Sequence, residues 1–179
     1  VILRQGQRYE MQLRKAHLQA ATQPLLASGK TYLFIGGNGS VGYKNACYLA
    51  QTYQANVVLT GRRPLDASME ERLAHIRNFG VKAAYHQVDL MNLSEMQALR
   101  SDLIAQSLAP NGIIHTAMHF QYELFKDSSL ELMQQSLNAK SVGMLHLARA
   151  FGQDALDFIA LYSSAESFTG NPGNSTYVA

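Results

Sequence analysis

A run of glycines between a short apolar segment and a stretch with helical spacing constrains this chain more than any other feature. Residues 32–35 predict a buried strand and residues 41–53 predict a helix. Between them lies Gly36-Gly37-Asn38-Gly39-Ser40-Val41-Gly42, with the pattern G-x-G-x-x-G at 37, 39 and 42. Glycine lets the backbone turn sharply and approach a phosphate, and the helix start offers free N–H groups. The pattern in this context predicts a dinucleotide site, with a plain glycine turn as the alternative.

The rest of the chain repeats the alternation of short strands and helices. Further strands are predicted at 56–60, within 81–88, at 112–115 and at 157–162. Helices are predicted over 67–79, over 94–106 with Ser94 as N-cap, and over 128–151 with a capping box from Ser128 to Glu131. Such alternation forms right-handed βαβ units. We therefore predict an α/β fold, a doubly wound parallel sheet of the Rossmann type, preceded by a strand or hairpin and a linker in residues 1–30.

Composition argues against several classes of function. The net charge of +2 over 179 residues is too small to indicate binding to nucleic acid or an anionic membrane. No apolar run approaches the roughly 20 residues that span a bilayer. The single cysteine, Cys47, excludes an internal disulfide and a cysteine zinc site, and we expect no metal. We expect a cytoplasmic domain, and the missing initiator methionine indicates a piece of a longer chain.

The end of the second predicted strand indicates which dinucleotide binds. Sites for NAD usually carry an acidic residue about 20 residues beyond the glycines, which bonds the ribose 2′-hydroxyl. This chain has Thr60-Gly61-Arg62-Arg63 there. A guanidinium binds a 2′-phosphate through two parallel hydrogen bonds, so Arg62, with Arg63 as a second candidate, predicts NADPH. The alternative is a pair of solvated arginines on a loop.

Two residues at the ends of later strands have two interpretations each. Asp89 follows the third strand, where its carboxylate accepts a hydrogen bond from the adenine amino group or caps the next turn. His115 ends the fourth strand near the cofactor, where its imidazole acts in the site or packs in the core. Both alternatives stay open for each residue at this point.

Three residues in the second half of the chain suit the reduction of a ketone. Hydride transfer leaves an alkoxide, which needs a proton donor and a second hydrogen bond to its oxygen. Tyr177 is the candidate acid, and Ser164, at the end of the fifth predicted strand, is the second donor. A nearby ammonium makes a tyrosine a better acid, and Lys140, inside the long helix, is the candidate. Taken singly, each has an ordinary interpretation as a core or surface tyrosine, a capping serine or a solvated lysine.

Several segments together resemble the ketoreductase domain of modular polyketide synthases, a branch of the short-chain dehydrogenase/reductases. They are residues 31–42, 59–63, 88–90, 113–117, 138–143, 162–165 and 170–177. Lys140 lies 24 residues before Ser164, which lies 13 residues before Tyr177, as in that family. Most short-chain dehydrogenases place this lysine after the tyrosine, so Lys140 favours the polyketide branch. Ser40 and Met118 depart from the family pattern, in which glycine is frequent at both positions.

The resemblance implies an activity and a set of partners. The activity is the NADPH-dependent reduction of a β-ketoacyl group, held on the phosphopantetheine of an acyl carrier protein, to a β-hydroxyacyl group. Tyr177 then protonates the alkoxide, Ser164 holds its oxygen and Lys140 assists Tyr177. Neighbouring synthase domains are further expected partners. Two alternatives remain, a redox-inactive scaffold of the same fold and a free-standing short-chain dehydrogenase.

The resemblance also implies a division of the chain. Residues 1–30 correspond to the end of a structural subdomain and a linker. Residues 31–179 correspond to an NADPH-binding catalytic subdomain that is incomplete at its C-terminus. Within it, the resemblance adds three residues to the cofactor-binding set: Leu90, His115 and Thr116.

Overall fold

A five-stranded parallel sheet forms the centre of the computed structural model, which describes residues 2–10, 12–17, 19, 24–119, 122–174 and 177. The strands are β1 Ile2–Arg4, β2 Gln7–Tyr9, β3 Thr31–Ile35, β4 Asn56–Gly61, β5 Ala83–Gln87, β6 Gly112–His115 and β7 Phe158–Leu161. The order in the central sheet is β5-β4-β3-β6-β7. The first two strands form a separate antiparallel hairpin, which is the strand or hairpin expected in residues 1–30.

Helices cover both faces of the sheet. Their bounds are α1 Ser40–Tyr53, α2 Ala67–Arg77, α3 Leu93–Ala105, α4 Leu130–Asn138, α5 Val142–Phe151 and α6 Glu166–Thr169. Because side chains alternate along a strand, β3 serves two cores. Tyr32 and Phe34 pack with α1 and α2 on one face. Leu33 and Ile35 pack with α3 and α5 on the other, which makes β3 fully buried.

The strand order opens a crevice beside the central strand. The chain runs outward from β3 through β4 to β5, and then returns to place β6 on the other side of β3. The connections that leave β3 and β6 therefore diverge, and ligands bind at such a point at the carboxyl ends of the strands. This arrangement confirms the predicted doubly wound α/β fold.

The single helix predicted over residues 128–151 is wrong, because a turn at 139–141 separates α4 from α5. Two long-range contacts flank the break. The Ala139 carbonyl oxygen lies 3.1 Å from Nε2 of His115 and is hydrogen-bonded to that ring. Gly143 packs so closely on Leu90 that an added Cβ would lie 2.5 Å from Leu90 Cδ2. The turn that ends α4 is thus in contact with residues distant in the sequence, His115 and Leu90.

Two helix caps also lie one or two residues from their predicted places. Asn92, not Ser94, caps α3, since its Oδ1 accepts from the backbone N–H groups of Ser94 and Glu95 at 3.1 and 3.3 Å. Ser129, not Ser128, caps α4 through a 3.1 Å hydrogen bond from Leu132 N–H to its Oγ. In both cases the residue with extended backbone geometry directly before the helix takes the cap.

Membrane-spanning helices and clustered metal ligands are both absent from the described residues. No helix there is long and apolar enough to cross a membrane. No group of three or more His, Cys, Asp or Glu side chains in the same ranges is arranged to hold a metal ion.

Candidate active site

Two adjoining cavities lie at the carboxyl edge of the sheet. The first, the nucleotide groove, has a volume of about 580 Å³ and is lined by Ile35, Gly36, Asn38, Gly39, Thr60–Arg63, Val88–Met91, Met96, Thr116–His119, Gln135, Asn138 and Ala139. The second, the lysine cavity, has a volume of about 270 Å³ and is lined by His115, Met118, His119, Ser136, Leu137, Lys140, Met144, Leu161–Ser164, Ser167 and Tyr177. Met118 and His119 line both, so the two cavities meet at these side chains.

The glycine turn packs so closely against its neighbours that the side chains of other residues would clash with them. Gly36 has φ +76°, and an added Cβ would lie 2.6 Å from the Ala117 Cα. A Cβ at Gly37 would lie 2.8 Å from Phe34 Cβ. A Cβ at Gly42 would lie 2.8 Å from both Gly37 Cα and Thr116 Oγ1. These glycines let the turn and the start of α1 press against the ends of β3 and β6.

The first turn of α1 is open toward an anion. Gly39 is its N-cap, without a side-chain cap, and its first turn contains no acidic residue. A Cβ at Gly39 would approach no other atom more closely than the Gly36 carbonyl oxygen, at 3.4 Å. The backbone here can therefore come close to a pyrophosphate, and the groove fits a dinucleotide cofactor. Ser40 and Val41 start the helix with exposed side chains that do not line the groove.

Arg72 holds the glycine turn, a role that no sequence pattern indicated. Its guanidinium lies on α2, donates to the carbonyl oxygen of Asn38 at 2.9 Å and to its Oδ1 at 3.2 Å, and stacks 4.9 Å from the centroid of the Tyr43 ring. Thr60, near the end of β4, adds a further tie, since its Oγ1 accepts from the Gly36 N–H at 3.4 Å and donates to the Phe34 carbonyl at 3.1 Å. The glycine turn is thus held by α2 and β4, which both follow it in the sequence.

The two predicted phosphate ligands lie at the mouth of the nucleotide groove. Arg62 and Arg63 are exposed and line the groove, and within the described residues neither forms a salt bridge. Their backbone is held by β5, since Gln87 Nε2 donates to the Arg62 carbonyl at 3.1 Å and Tyr85 Oη donates to the Arg63 carbonyl at 2.5 Å. The backbone of the loop is therefore fixed, while both arginines are exposed at the groove.

Asp89 and Leu90 lie at the far side of the groove. Asp89 Oδ1 accepts from the Met91 N–H at 2.9 Å, so the carboxylate does cap the turn, which was one of its two interpretations. It also lines the groove, so the contact with adenine stays a prediction. Leu90 is buried in the core, and its carbonyl oxygen bonds with Nδ1 of His146 at 3.0 Å.

His115 ends β6 and Thr116 follows it directly, but the two residues line different cavities. Thr116 lines the nucleotide groove, and its Oγ1 lies 3.1 Å from the Ile35 carbonyl oxygen and 3.2 Å from that of Gly36, so it ties the glycine turn to β6. His115 is fully buried and lines the lysine cavity rather than the groove. Its place supports the packing interpretation, and a direct contact with the cofactor stays a prediction.

Lys140 lies in the turn between α4 and α5 and points toward the end of β7. Its Nζ donates a 2.9 Å hydrogen bond to the Tyr162 carbonyl oxygen. Burial lowers the pKa of Lys140, because a low-dielectric environment disfavours the ammonium form. The side chain is thus held inside the cavity at the strand that leads to Ser164, although the turn replaces the helical setting that we predicted.

Ser164 and Tyr177 reach the same cavity through a short segment organised by Glu166. Ser164 Oγ accepts the Glu166 N–H at 3.2 Å. The Glu166 carboxylate accepts from Nδ2 of Asn171 at 3.2 Å and of Asn174 at 2.7 Å. The Asn174 carbonyl then accepts the Tyr177 N–H at 3.0 Å. Lys140, Ser164 and Tyr177 therefore line one cavity, and the sequence pattern did not indicate Glu166 as the residue that links two of them.

Comparison with known proteins gives the family. Residues 30–179 match the model of the KR domain. Polyketide synthases PksN and PksL of Bacillus subtilis (strain 168) are 30% identical over 171 residues and 33% identical over 177. These alignments cover 96% and 97% of this chain but only 3% and 4% of those proteins. The chain thus spans a small part of the relatives it matches.

Solved structures agree with this result. An N-terminal ketoreductase from the macrolactin assembly line is 30% identical, with a TM-score of 0.79 over 84% of this chain and 31% of that one. A ketoreductase domain from the bacillaene assembly line is 27% identical, with a TM-score of 0.82 over 90% of this chain and 39% of that one. The resemblance seen in the motifs is confirmed, and this chain belongs to the ketoreductase (KR) domain family of polyketide synthases, nicotinamide-dependent oxidoreductases with a Rossmann-type fold.

Proposed function

We propose that this chain carries the NADPH-dependent reduction of a β-ketoacyl thioester to a β-hydroxyacyl thioester in polyketide biosynthesis. The observation that carries the proposal is the placement of Lys140, Ser164 and Tyr177 around one cavity that opens beside the nucleotide groove. A nicotinamide cofactor, when bound, supplies the hydride. The roles of the three side chains follow from their hydrogen-bonding capacity and charge.

Ser164 and Tyr177 act on the ketone oxygen. Ser164 Oγ accepts the Glu166 N–H, so its own hydrogen is available to donate to the substrate oxygen. As the ketone carbon gains a hydride, its oxygen becomes an alkoxide that takes the proton of the Tyr177 hydroxyl. The hydrogen bond from Ser164 stabilises the developing negative charge before that proton arrives.

Lys140 stabilises the phenolate that Tyr177 becomes. The Lys140 ammonium has three donors, one of which bonds the Tyr162 carbonyl. Its positive charge in a half-buried cavity favours the negative form of a neighbouring phenol, which eases proton transfer to the alkoxide. Protonation of the phenolate from solvent then restores the site for another turnover.

The nucleotide groove supports NADPH over NADH. The backbone of Gly36, Gly37, Asn38, Gly39, Ser40, Val41 and Gly42 would hold the pyrophosphate, with Asp89, Leu90 and Thr116 along the rest of the cofactor. Arg62, with Arg63 beside it, would bind the ribose 2′-phosphate, because both arginines line the groove and form no salt bridge within the described residues.

The proposed partners follow from the relatives. The relatives are named polyketide synthases and hybrid synthetases, and they are much longer than this chain. We therefore propose neighbouring synthase domains as partners. The substrate would arrive on the phosphopantetheine of an acyl carrier protein. We propose residues 1–30 as the end of a structural subdomain with a linker, and residues 31–179 as the catalytic subdomain. A cytoplasmic location stays a prediction.

The test is a reduction assay of the full-length protein with a β-ketoacyl thioester. We expect oxidation of NADPH, followed by its absorbance, together with formation of the β-hydroxy product, and a lower rate with NADH. Tyr177→Phe removes the acidic proton while keeping the ring, so reduction should be lost while NADPH still binds. Full activity of Tyr177→Phe would remove this residue from the mechanism.

A redox-inactive scaffold is the second candidate, and one observation favours it. Met118 lines both cavities, so a methionine side chain stands at the junction where the cofactor and substrate would meet. Titration of the full-length protein with NADPH, followed by nicotinamide fluorescence, separates the two candidates. Absence of binding would favour the scaffold, and saturable binding would favour the reductase.

A further inference from the structure

His115 belongs to a closed ring of hydrogen bonds that includes Lys140. Its side chain is 0% exposed, and its Nε2 lies 3.1 Å from the carbonyl oxygen of Ala139, the residue directly before Lys140. Lys140 Nζ donates to the Tyr162 carbonyl at 2.9 Å. The Tyr162 N–H donates to the His115 carbonyl at 3.1 Å, which closes the ring. Three bonds thus join the end of β6, the residue after β7 and the turn between α4 and α5.

The ring determines the form of the imidazole. A carbonyl oxygen only accepts hydrogen bonds, so Nε2 must carry the hydrogen that bonds Ala139. Nδ1 is buried and makes no hydrogen bond within the described residues. Burial, and next the charge of Lys140, lower the pKa of His115, which favours the neutral imidazole. A neutral His115 with its hydrogen on Nε2 therefore suits this place beside an ammonium group.

The polar contact goes beyond what packing requires. An apolar side chain would also fill the end of β6, but it would leave the part-buried Ala139 carbonyl without this partner. That carbonyl belongs to the turn that ends α4, and Lys140 follows it directly. The bond from His115 therefore acts on the backbone that sets the direction of the lysine side chain.

We infer that His115 is a positioning residue, which fixes the α4–α5 turn through Ala139 and so directs Lys140 into the lysine cavity. The inference rests on the proposed function, because it assumes that Lys140 assists Tyr177. It assigns His115 no contact with the substrate. It also separates His115 from the cofactor-binding residues of the nucleotide groove.

Two variants of the full-length protein separate positioning from packing. His115→Leu keeps an apolar group in the strand end and removes the N–H donor, whereas His115→Gln offers an amide N–H at a similar distance from the backbone. We expect His115→Leu to lower kcat between about tenfold and about 100-fold, the cost of a small misplacement of a catalytic group, with KM for NADPH nearly unchanged. His115→Gln should recover most of this loss.

A double-mutant cycle with Lys140→Met tests whether His115 acts through the lysine. If it does, His115→Leu should lower kcat in the wild-type background and have little further effect in the Lys140→Met background. If His115→Leu lowers kcat by the same factor in both backgrounds, the inference is overturned. A wild-type kcat for His115→Leu would also overturn it.

Hydrogen exchange gives a readout that is independent of catalysis. In His115→Leu, the amides of residues 139–143 and of Tyr162 should exchange faster than in the wild-type protein, whereas His115→Gln should resemble the wild type. If these amides exchange at the wild-type rate in His115→Leu, the inference is overturned, even when the wild-type protein reduces the ketone. A wild-type protein that reduces no ketone would instead refute the proposed function, and the exchange experiment would still decide whether His115 holds the turn.

Discussion

Lys140 Nζ donates a 2.9 Å hydrogen bond to the backbone carbonyl oxygen of Tyr162, two residues before Ser164. The lysine and the serine come from different parts of the chain, and this bond holds the lysine side chain at the carboxyl end of β7, close to Ser164 in the sequence. Both side chains therefore reach the cavity that Tyr177 also lines. The position of the Lys140 ammonium depends on the end of β7 and on the turn between α4 and α5. Neither of these is next to Tyr177 in the sequence.

Replacement of Lys140 by methionine should lower kcat roughly 100-fold, at the low end of what acid–base assistance contributes. Methionine keeps the length of the side chain but removes the charge that favours the phenolate form of Tyr177. The measurement is kcat for a β-ketoacyl thioester at saturating NADPH. Lys82→Met is the matched control, because Lys82 is exposed directly before β5, at the opposite edge of the sheet. Equal rates for both variants would argue against a role for Lys140.

Arg62→Gln should raise KM for NADPH by about tenfold, since it removes charged hydrogen bonds to the 2′-phosphate. KM for NADH should change little, because NADH lacks that phosphate. Arg63→Gln is the matched comparison at the neighbouring position, and we expect a smaller effect there. An equal increase for both cofactors in Arg62→Gln would show that this side chain does not select the phosphate.

Gly42→Ala should mainly lower the stability of the fold, whereas Gly39→Ala should mainly weaken the binding of NADPH. A Cβ at Gly42 would lie 2.8 Å from Gly37 Cα and from Thr116 Oγ1, so we expect a loss of roughly 1–3 kcal/mol in the free energy of unfolding. A Cβ at Gly39 would approach no atom more closely than 3.4 Å, so the fold should be retained and NADPH binding weakened. Urea unfolding and cofactor titration of both variants check these expectations. Equal stability of the two would contradict the packing of the glycine turn.

Acidification below pH 6.5 should destabilise the fold through His115, which is buried, and His86, which is partly buried. The pKa of His115 is lowered from 6.5 by burial and by Lys140, and that of His86 is lowered by burial. Between the lowered pKa and 6.5 the unfolded chain binds more protons than the folded one, so stability rises with pH in that window. Unfolding free energies measured from about pH 7.5 to about pH 5 should show this slope. His115→Gln should have a smaller slope, and an identical slope would exclude His115 as a contributor.

Much of this protein follows from local patterns in its sequence. The apolar segment at β3, the glycines after it and the helix α1 were predicted because each depends on neighbouring residues: alternation of side chains, freedom of the backbone and helical spacing. The spacing of Lys140, Ser164 and Tyr177 also predicted the family, which the comparisons confirm. Their chemical roles stay predictions.

Only the tertiary structure decided how these parts are held in place. The sequence between residues 128 and 151 has helical spacing throughout, yet a turn divides it into two helices, and Ala139 and Gly143 at this turn contact His115 and Leu90. Arg72 and Glu166 hold the glycine turn and the Tyr177 segment through hydrogen bonds that no periodic pattern encodes. Local propensity follows from short-range sterics, whereas the direction of Lys140 depends on partners that meet only when the sheet has formed.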